Sequence, residues 1–198
     1  MKNDKIFNNI KFLGGANSFD ALPENNLLEI AFWGRSNVGK SSTINSIFNN
    51  NTVARVSKHP GRTQQINLFI VDDNKATVVD LPGYGYAKVS KKIADNLYSL
   101  CYNYIHQRRP KILFLLIDSR RGLMDVDYEV INALNMLRHN VCFILTKTDL
   151  IKANNLIRLK NDIGNLDHLM ISNKSKDGVL QLKNKIIDLI NGGQNSCK

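Results

Sequence analysis

A short glycine-rich segment at residues 34–41, Gly-Arg-Ser-Asn-Val-Gly-Lys-Ser, carries the clearest chemistry in the sequence. Its pattern, G-x-x-x-x-G-K-[ST], is that of a loop that wraps the phosphates of a nucleotide. Gly34 and Gly39 let the backbone turn tightly, so that its N–H groups can approach phosphate oxygens that a β-carbon would keep away. Lys40 supplies a mobile positive charge to the β- and γ-phosphates, and the Ser41 hydroxyl is a ligand for Mg²⁺.

The residues on either side of this loop have the patterns that such a site requires. Leu27–Trp33 is an apolar run typical of a buried strand, and residues 42–48 continue as a helix. The partial positive charge at the helix N-terminus would add to the attraction for phosphate. We predict phosphate contacts from Gly34, Arg35, Ser36, Asn37, Val38, Gly39, Lys40, Ser41 and Ser42.

A second candidate element, Asp80-Leu81-Pro82-Gly83, follows an apolar strand at Ala76–Asp80. In this D-x-x-G pattern the carboxylate of Asp80 can act in the Mg²⁺ shell, and the N–H of Gly83 can reach the γ-phosphate. Taken alone the pattern is weak, because an Asp that ends a strand before a turn is common. We count all four residues as candidate nucleotide contacts.

Thr146-Lys147-Thr148-Asp149 follows another buried strand and distinguishes between the bases. The Asp149 carboxylate can accept hydrogen bonds from N1–H and N2–H₂ of guanine, whereas adenine has no N1–H and would leave the carboxylate unpaired. The stem of Lys147 can lie across the base. Thr146 stands where Asn is commoner, which alters one amide contact. The alternative is that Thr148 or Asp149 caps a helix.

Two further loops complete the candidate site. Ile171, Ser172, Asn173 and Lys174 end the sixth predicted strand and are similar to an S-A-K element that supports guanine O6, although a plain turn is an open alternative. The long polar stretch 50–63 ends in a segment whose Thr63 could place its hydroxyl and carbonyl on Mg²⁺ and the γ-phosphate and release them after hydrolysis. The candidate nucleotide contacts in and after that segment are Gly61, Arg62, Thr63, Gln64 and Gln65.

From these elements we assign two further roles. Lys40, Thr63 and Gly83 are the predicted catalytic residues, and Ser41, Thr63 and Asp80 are the predicted metal ligands.

Alternating strand and helix patterns predict an α/β fold that positions these loops at one sheet edge. The sheet is expected to have six strands, mostly parallel and including one antiparallel strand, with helices on both faces. Residues 1–26 are expected to be an irregular lead-in, 27–191 the nucleotide-binding domain and 192–198 a polar tail. The predicted strands are 27–33, 66–71, 76–80, 111–118, 141–145 and 168–171, and the predicted helices are 42–48, 91–108, 125–137, 151–162 and 178–191.

The composition bears on partners and location. The 198 residues include 27 Lys and Arg against 17 Asp and Glu, a net charge of +10. Such a charge favours an anionic partner, most plausibly RNA, although a solvated basic surface is the plain alternative. Three cysteines without metal-ligand spacing lead us to expect a reducing cytoplasm, and no apolar run is long enough to span a membrane. We also expect a monomer.

The segments GRSNVGKSS, PGRTQ, DLPGYGYA and TKTD, in this order, resemble the EngB-type GTPases of the Era/EngA group. The resemblance spans residues 12–190. It implies a Ras-like P-loop GTPase fold, Mg²⁺-dependent hydrolysis of GTP to GDP and a role in assembly of the large (50S) ribosomal subunit, with rRNA and ribosomal proteins as partners. It also implies a need for the protein in cell division and septation. The departures are Asn173, where a second Ser is frequent, and Thr148.

Two residues bear on the rate of the implied reaction. Tyr84 follows the D-x-x-G where many relatives have a Gln that positions water, so we expect slow intrinsic turnover. Asn37 could help to hold K⁺, as in some relatives, or could only brace the loop. A non-hydrolysing scaffold in septation and a P-loop nucleotide kinase remain alternative functions; a kinase would not need Thr146–Asp149.

Overall fold

The computed structural model describes residues 4–7, 9–50, 53–54, 64–71, 75–86 and 89–192. Within these ranges, seven strands form one sheet: β1 (Lys11–Ala16), β2 (Leu28–Gly34), β3 (Ile66–Val71), β4 (Ala76–Asp80), β5 (Ile112–Asp118), β6 (Val141–Thr146) and β7 (His168–Ile171). The described residues also contain five α-helices: α1 (Lys40–Ile47), α2 (Lys91–Arg108), α3 (Asp125–Met136), α4 (Ala153–Ile163) and α5 (Val179–Ile190).

The strand order is β1-β3-β4-β2-β5-β6-β7. Strands β4, β2, β5, β6 and β7 pair in parallel, and β3 is antiparallel to both of its neighbours. The predicted fold class is therefore confirmed, with a single strand running against the others. Parallel strands bring their carboxyl ends to one edge, so the segments that follow β2, β4, β5, β6 and β7 meet there.

The lead-in differs from the prediction because it contributes a seventh strand. Gly14-Gly15 indicates a turn in the sequence, but β1 passes through the pair with a register shift between Phe12 and Gly14. A β-carbon on Gly15 would lie 2.7 Å from the Gln65 side chain, so the glycine lets β1 approach β3 closely. The expectation that residues 1–26 are irregular was wrong for Lys11–Ala16.

Apolar side chains fill both faces of the sheet. On one face the core contains α1 and α5, with Ile44, Ile47, Leu182 and Ile186 buried. On the other it contains side chains of α2, α3 and α4. All seven residues of β5 are buried, as expected for a parallel strand covered on both sides. No helix in the described part of the chain is long and apolar enough to span a membrane.

Candidate functional site

The phosphate loop joins the end of β2 to the start of α1, as its sequence predicts. Helix α1 begins at Lys40, two residues before the predicted start, because Gly39 has a φ of +108° and directs the chain straight into the helix. That left-handed conformation favours glycine. Space also restricts Gly34, where a β-carbon would lie 2.8 Å from the Leu116 carbonyl oxygen.

Lys40 and Asp80, predicted to act on phosphate and metal respectively, form a buried ion pair at the centre of the site. Their exposed fractions are 7% and 2%. Two charges removed from water in this way must be paired, and each neutralises the other. The structure thus brings together the start of α1 and the end of β4, and with them Lys40, Ser41 and Asp80.

The oxygen donors at this position fit Mg²⁺. Ser41 offers a hydroxyl and Asp80 a carboxylate, which are hard ligands of the kind that Mg²⁺ prefers. Within the described ranges, no group of three or more His, Cys, Asp or Glu side chains could hold a metal alone. A metal here would therefore be held by few protein oxygens together with nucleotide phosphates, which is the usual mode for Mg²⁺.

The third predicted metal ligand, Thr63, lies outside the described residues, as do Gly61 and Arg62. Their roles stay predictions. Gln64 and Gln65 are described and exposed, and the Gln65 side-chain amide donates to the Asn67 side chain at 2.8 Å.

The D-x-x-G segment lies against the phosphate loop. A β-carbon on Gly83 would stand 3.0 Å from the Ser36 nitrogen. The Tyr84 N–H donates to the Gly34 carbonyl at 3.2 Å, and the Ser36 N–H donates to the Tyr84 carbonyl at 2.9 Å. Between Asp80 and Gly83, Leu81 is fully buried, so only its backbone could face a nucleotide. The carbonyl of Pro82 accepts a hydrogen bond from the Trp33 indole at 2.9 Å.

Tyr84 is almost fully buried, and its side chain is fixed by contacts on both sides. Its ring packs edge-on against Trp33 at 5.2 Å, and its hydroxyl donates to Asp127 of α3 at 2.8 Å. Burial, followed by the nearby carboxylate of Asp127, raises the pKa of the Tyr84 phenol well above its usual value. The phenol is therefore neutral, and its hydroxyl is held by the hydrogen bond to α3.

The segment after β6 is joined to the phosphate loop by two side chains. The Thr146 hydroxyl lies 2.7 Å from the Val38 carbonyl and 3.1 Å from the Ile117 carbonyl, and donates to this pair. The Lys147 ammonium donates to the Asn37 carbonyl at 2.8 Å. Thr146, which stands where Asn is commoner, thus stabilises the phosphate loop through its hydroxyl.

Asp149 is exposed, and its carboxylate accepts a hydrogen bond from the Ser172 hydroxyl at 2.8 Å. Thr148 and Asp149 lie in a 3-10 turn, and α4 is preceded by Lys152 with no side-chain cap. The alternative in which Thr148 or Asp149 caps a helix was therefore wrong. The geometry leaves the Asp149 carboxylate at the sheet edge, oriented by Ser172.

Side-chain hydrogen bonds connect the loop after β7 to other elements of the site, which distinguishes it from a plain turn. Ile171 and Ser172 are buried, and the Ser172 hydroxyl also accepts from the Ser175 N–H at 3.1 Å. The Asn173 amide donates to the Thr43 hydroxyl of α1 at 3.0 Å. Lys174 is exposed. Asn173, the residue that departs from the S-A-K pattern, thus connects this loop to the helix that follows the phosphate loop.

Asp118, at the end of β5, is a site residue that the motif analysis missed. Its carboxylate accepts from Arg120 at 2.9 and 2.7 Å and from Lys147 at 2.8 Å. Burial alone would raise the pKa of the Asp118 carboxyl, but the hydrogen bonds from Arg120 and Lys147 outweigh burial and hold the pKa at about 2. Asp118 ends β5 and pairs with Thr146 in the sheet. Its place at the end of a predicted strand was the signal by which the sequence could have identified it as a site residue.

Comparison with known proteins agrees with this geometry. Residues 29–147 match the family model described as a 50S ribosome-binding GTPase. A probable GTP-binding protein EngB from Rickettsia bellii is 39% identical over 195 residues, covering 94% of this chain and 92% of that protein. The chain belongs to the EngB family of GTP-binding proteins.

A further EngB relative, from Caulobacter vibrioides, is 46% identical over 144 residues, which are 72% of this chain and 62% of that protein. The crystal structure of a probable GTP-binding protein EngB superposes with a TM-score of 0.67 at 24% identity, covering 83% of this chain and 99% of the other. That likeness shows a shared fold. With the family model, these matches identify a GTPase domain whose predicted site residues follow the carboxyl ends of the strands.

Proposed function

We propose that this EngB protein binds GTP with Mg²⁺, hydrolyses it slowly to GDP and phosphate, and acts as a switch in assembly of the 50S ribosomal subunit. The observation that carries GTP specificity is the orientation of Asp149 by Ser172, in a segment braced to the phosphate loop by Thr146. A carboxylate held there matches the N1–H and N2–H₂ donors of guanine.

In this proposal the chain's own residues bind and orient the triphosphate. Loop N–H groups and Lys40 stabilise charge on the phosphates, and the Gly83 N–H donates to the γ-phosphate. Ser41, Thr63 and Asp80 hold Mg²⁺, which neutralises developing charge when it is bound. Helix α1 adds the partial charge of its N-terminus.

Slow turnover follows from the contacts of Tyr84. Its hydroxyl donates to Asp127 and its ring is packed on Trp33, so it does not replace the Gln that orients water in other GTPases. We expect an intrinsic rate of about 10⁻³ per second or below, as for an unassisted small GTPase. A rate near one per second for the isolated protein would contradict this.

Base specificity is tested by titrating GDP, GTP and ATP into the purified chain and into Asp149→Asn. The wild type should bind both guanine nucleotides and reject ATP, and the variant should lose guanine affinity by at least about a hundredfold. Tight ATP binding by the wild type would instead favour the nucleotide kinase alternative.

The ribosomal role is supported by the net charge of +10 and by the match to a model described as a 50S ribosome-binding GTPase. Co-sedimentation with 50S subunits should depend on whether GDP, a GTP analogue or no nucleotide is present. Binding that ignores the nucleotide would contradict the switch. Nucleotide-dependent binding to a septation protein without phosphate release would favour the scaffold alternative.

Asn37 carries a second proposal, that K⁺ contributes to hydrolysis. Asn37 is exposed in the phosphate loop with a φ of +64°, and its carbonyl accepts from Lys147. In some relatives an Asn at this position helps to hold K⁺, which supplies positive charge during hydrolysis. Hydrolysis should be faster in KCl than in NaCl at equal ionic strength, and equal rates would leave Asn37 as a brace only.

We further propose that the protein acts as a cytoplasmic monomer, with residues 27–191 as its GTPase domain. Light scattering of the GDP-bound chain should give the mass of one copy, and a mass of two copies would contradict this.

A further inference from the structure

A cavity of about 270 Å³ lies between the phosphate loop, the turn after β5 and the start of α3. We call it the outer cavity. Among its wall residues are Arg35, Asp118, Arg120, Arg121, Asp127 and Lys147. Lys40, Ser41, Asp80 and Asp149 do not line it, whereas five other residues that we assign to the nucleotide do, namely Arg35, Ser36, Asn37, Val38 and Lys147. The outer cavity therefore adjoins the nucleotide site and shares the phosphate loop and Lys147 with it.

The charge in the outer cavity is mainly positive. Four cationic side chains line it, against the two carboxylates of Asp118 and Asp127. Both carboxylates already accept hydrogen bonds inside the protein. Asp118 accepts from Arg120 and Lys147, and Asp127 accepts from the Tyr84 hydroxyl and from the Met124 N–H at 2.9 Å. Asp118 faces two cations, and Arg35 acts electrostatically on Asp127, so four cations against two carboxylates leave the cavity with a surplus of positive charge.

Arg35 has a donor for which the described residues provide no acceptor. Its Nε is buried and, in the described part of the chain, makes no hydrogen bond. Buried N–H groups are nearly always hydrogen-bonded, so an unpaired one beside a cavity indicates a missing acceptor. Arg121, at the same cavity, is exposed. Two guanidinium groups present planar sets of donors that match the oxygens of a phosphate group.

We propose that the outer cavity binds one phosphate group, supplied by the backbone of an RNA. The cationic side chains that line the cavity favour a phosphate ligand. The choice of RNA rests on the proposed ribosomal function and on the net charge of +10, which favours a polyanion. A phosphate in this cavity would contact the phosphate loop at Arg35, so the RNA would bind next to the nucleotide.

The test uses the full chain saturated with a non-hydrolysable GTP analogue and Mg²⁺, so that the γ-phosphate position is filled and added phosphate cannot enter the nucleotide site. A fluorescein-labelled single-stranded oligoribonucleotide and inorganic phosphate are the two probes. Arg121→Glu should weaken RNA binding about tenfold and lower the slope of log K against log salt by about one. It should also abolish the rise in Tm that phosphate gives the wild type, whereas Arg121→Lys should retain most of both effects.

Arg158→Glu is the matched control, because Arg158 is exposed on α4, away from the outer cavity, and the change in charge is the same. Loss of both responses in Arg121→Glu alone supports the cavity and RNA as its ligand. Loss of the phosphate response with unchanged RNA affinity supports the cavity but assigns it to a free phosphate. Equal effects of both variants, or none, would overturn the proposal. Because the GTP analogue stays bound throughout, failure here is separable from failure of GTP binding or of 50S co-sedimentation.

Discussion

At the scale of single residues, Tyr84 connects the D-x-x-G segment to α3 through one hydrogen bond. Tyr84→Phe would leave a buried oxygen of Asp127 without its donor, which costs about 1–3 kcal/mol of unfolding free energy. Urea denaturation of the GDP-bound protein measures this loss. Tyr128→Phe on α3 is the control, because Tyr128 is 46% exposed and should change little. Equal stability of the two variants would mean that the Tyr84 hydroxyl contributes nothing.

The lowered pKa of Asp118 predicts how the stability of the protein depends on pH. Its pKa falls from an ordinary value of 3.8 to about 2 in the folded chain. The ionised carboxylate therefore stabilises the protein by about 2 kcal/mol above the unfolded pKa. This contribution is lost as pH falls from about 4 towards 2, because the folded state must then also take up the proton.

The comparison is between wild type and Asp118→Asn in urea titrations from pH 7 to pH 3. The variant should be less stable at pH 7 and its deficit should shrink at acidic pH. Asp162→Asn, an exposed change on α4, should show no such convergence. A deficit that stays constant down to pH 3 would contradict the assigned cause.

Sequence patterns are most informative where the chemistry is local, and the site residues illustrate this. The phosphate loop could be predicted because its glycines, Lys40 and Ser41 lie within eight positions of the chain. The partners of Tyr84 and Asp118 could not, because Asp127 and Lys147 lie 43 and 29 residues away. Those pairs exist only because the parallel sheet brings its strand ends together.

At the scale of elements, the turn from β2 into α1 depends on Gly39. An alanine at its φ of +108° costs about 1–2 kcal/mol, although its β-carbon would have 3.6 Å to the nearest atom. The strain would misalign the loop N–H groups, so we expect Gly39→Ala to raise the Kd for GDP at least about tenfold. Calorimetric titration measures the Kd.

Gly192→Ala provides the matched control for backbone strain. Gly192 follows α5 with a φ of +84° and has open space around a β-carbon. Both variants should lose similar stability, and only Gly39→Ala should lose GDP affinity. An unchanged Kd in Gly39→Ala would mean that the phosphate site tolerates this distortion.

Strand β1 could not be predicted from the sequence, because the evidence for it lies in its pairing with another element. A Gly-Gly pair within six residues has the local signature of a turn, and only the approach of β3 across the sheet makes the pair suitable for a strand with a bulge. The buried strands β2 and β5 were predictable because their continuous apolar runs require cover on both faces.

At the scale of the whole molecule, the two ends of the sheet serve different purposes. The nucleotide site follows the carboxyl end of β2, whereas Glu29 near the other end of β2 is the centre of a buried polar network. The Tyr104 hydroxyl of α2 donates to Glu29 at 2.8 Å, and Asn25 donates to the same carboxylate at 2.8 Å. Arg108 lies 3.5 Å from it. This network joins the lead-in, β2 and α2.

Stability and nucleotide affinity should therefore be separable. Tyr104→Phe leaves a buried oxygen of Glu29 without its donor and should cost about 1–3 kcal/mol of unfolding free energy. GDP affinity should be unchanged, because Gly34 lies five residue steps beyond Glu29 along extended β2, a distance of about 16 Å. Tyr102→Phe is the control, since Tyr102 is only half-buried and its ring stacks on His106. A rise in the GDP Kd of Tyr104→Phe that Tyr102→Phe lacks would mean that α2 transmits strain along the sheet to the phosphate loop.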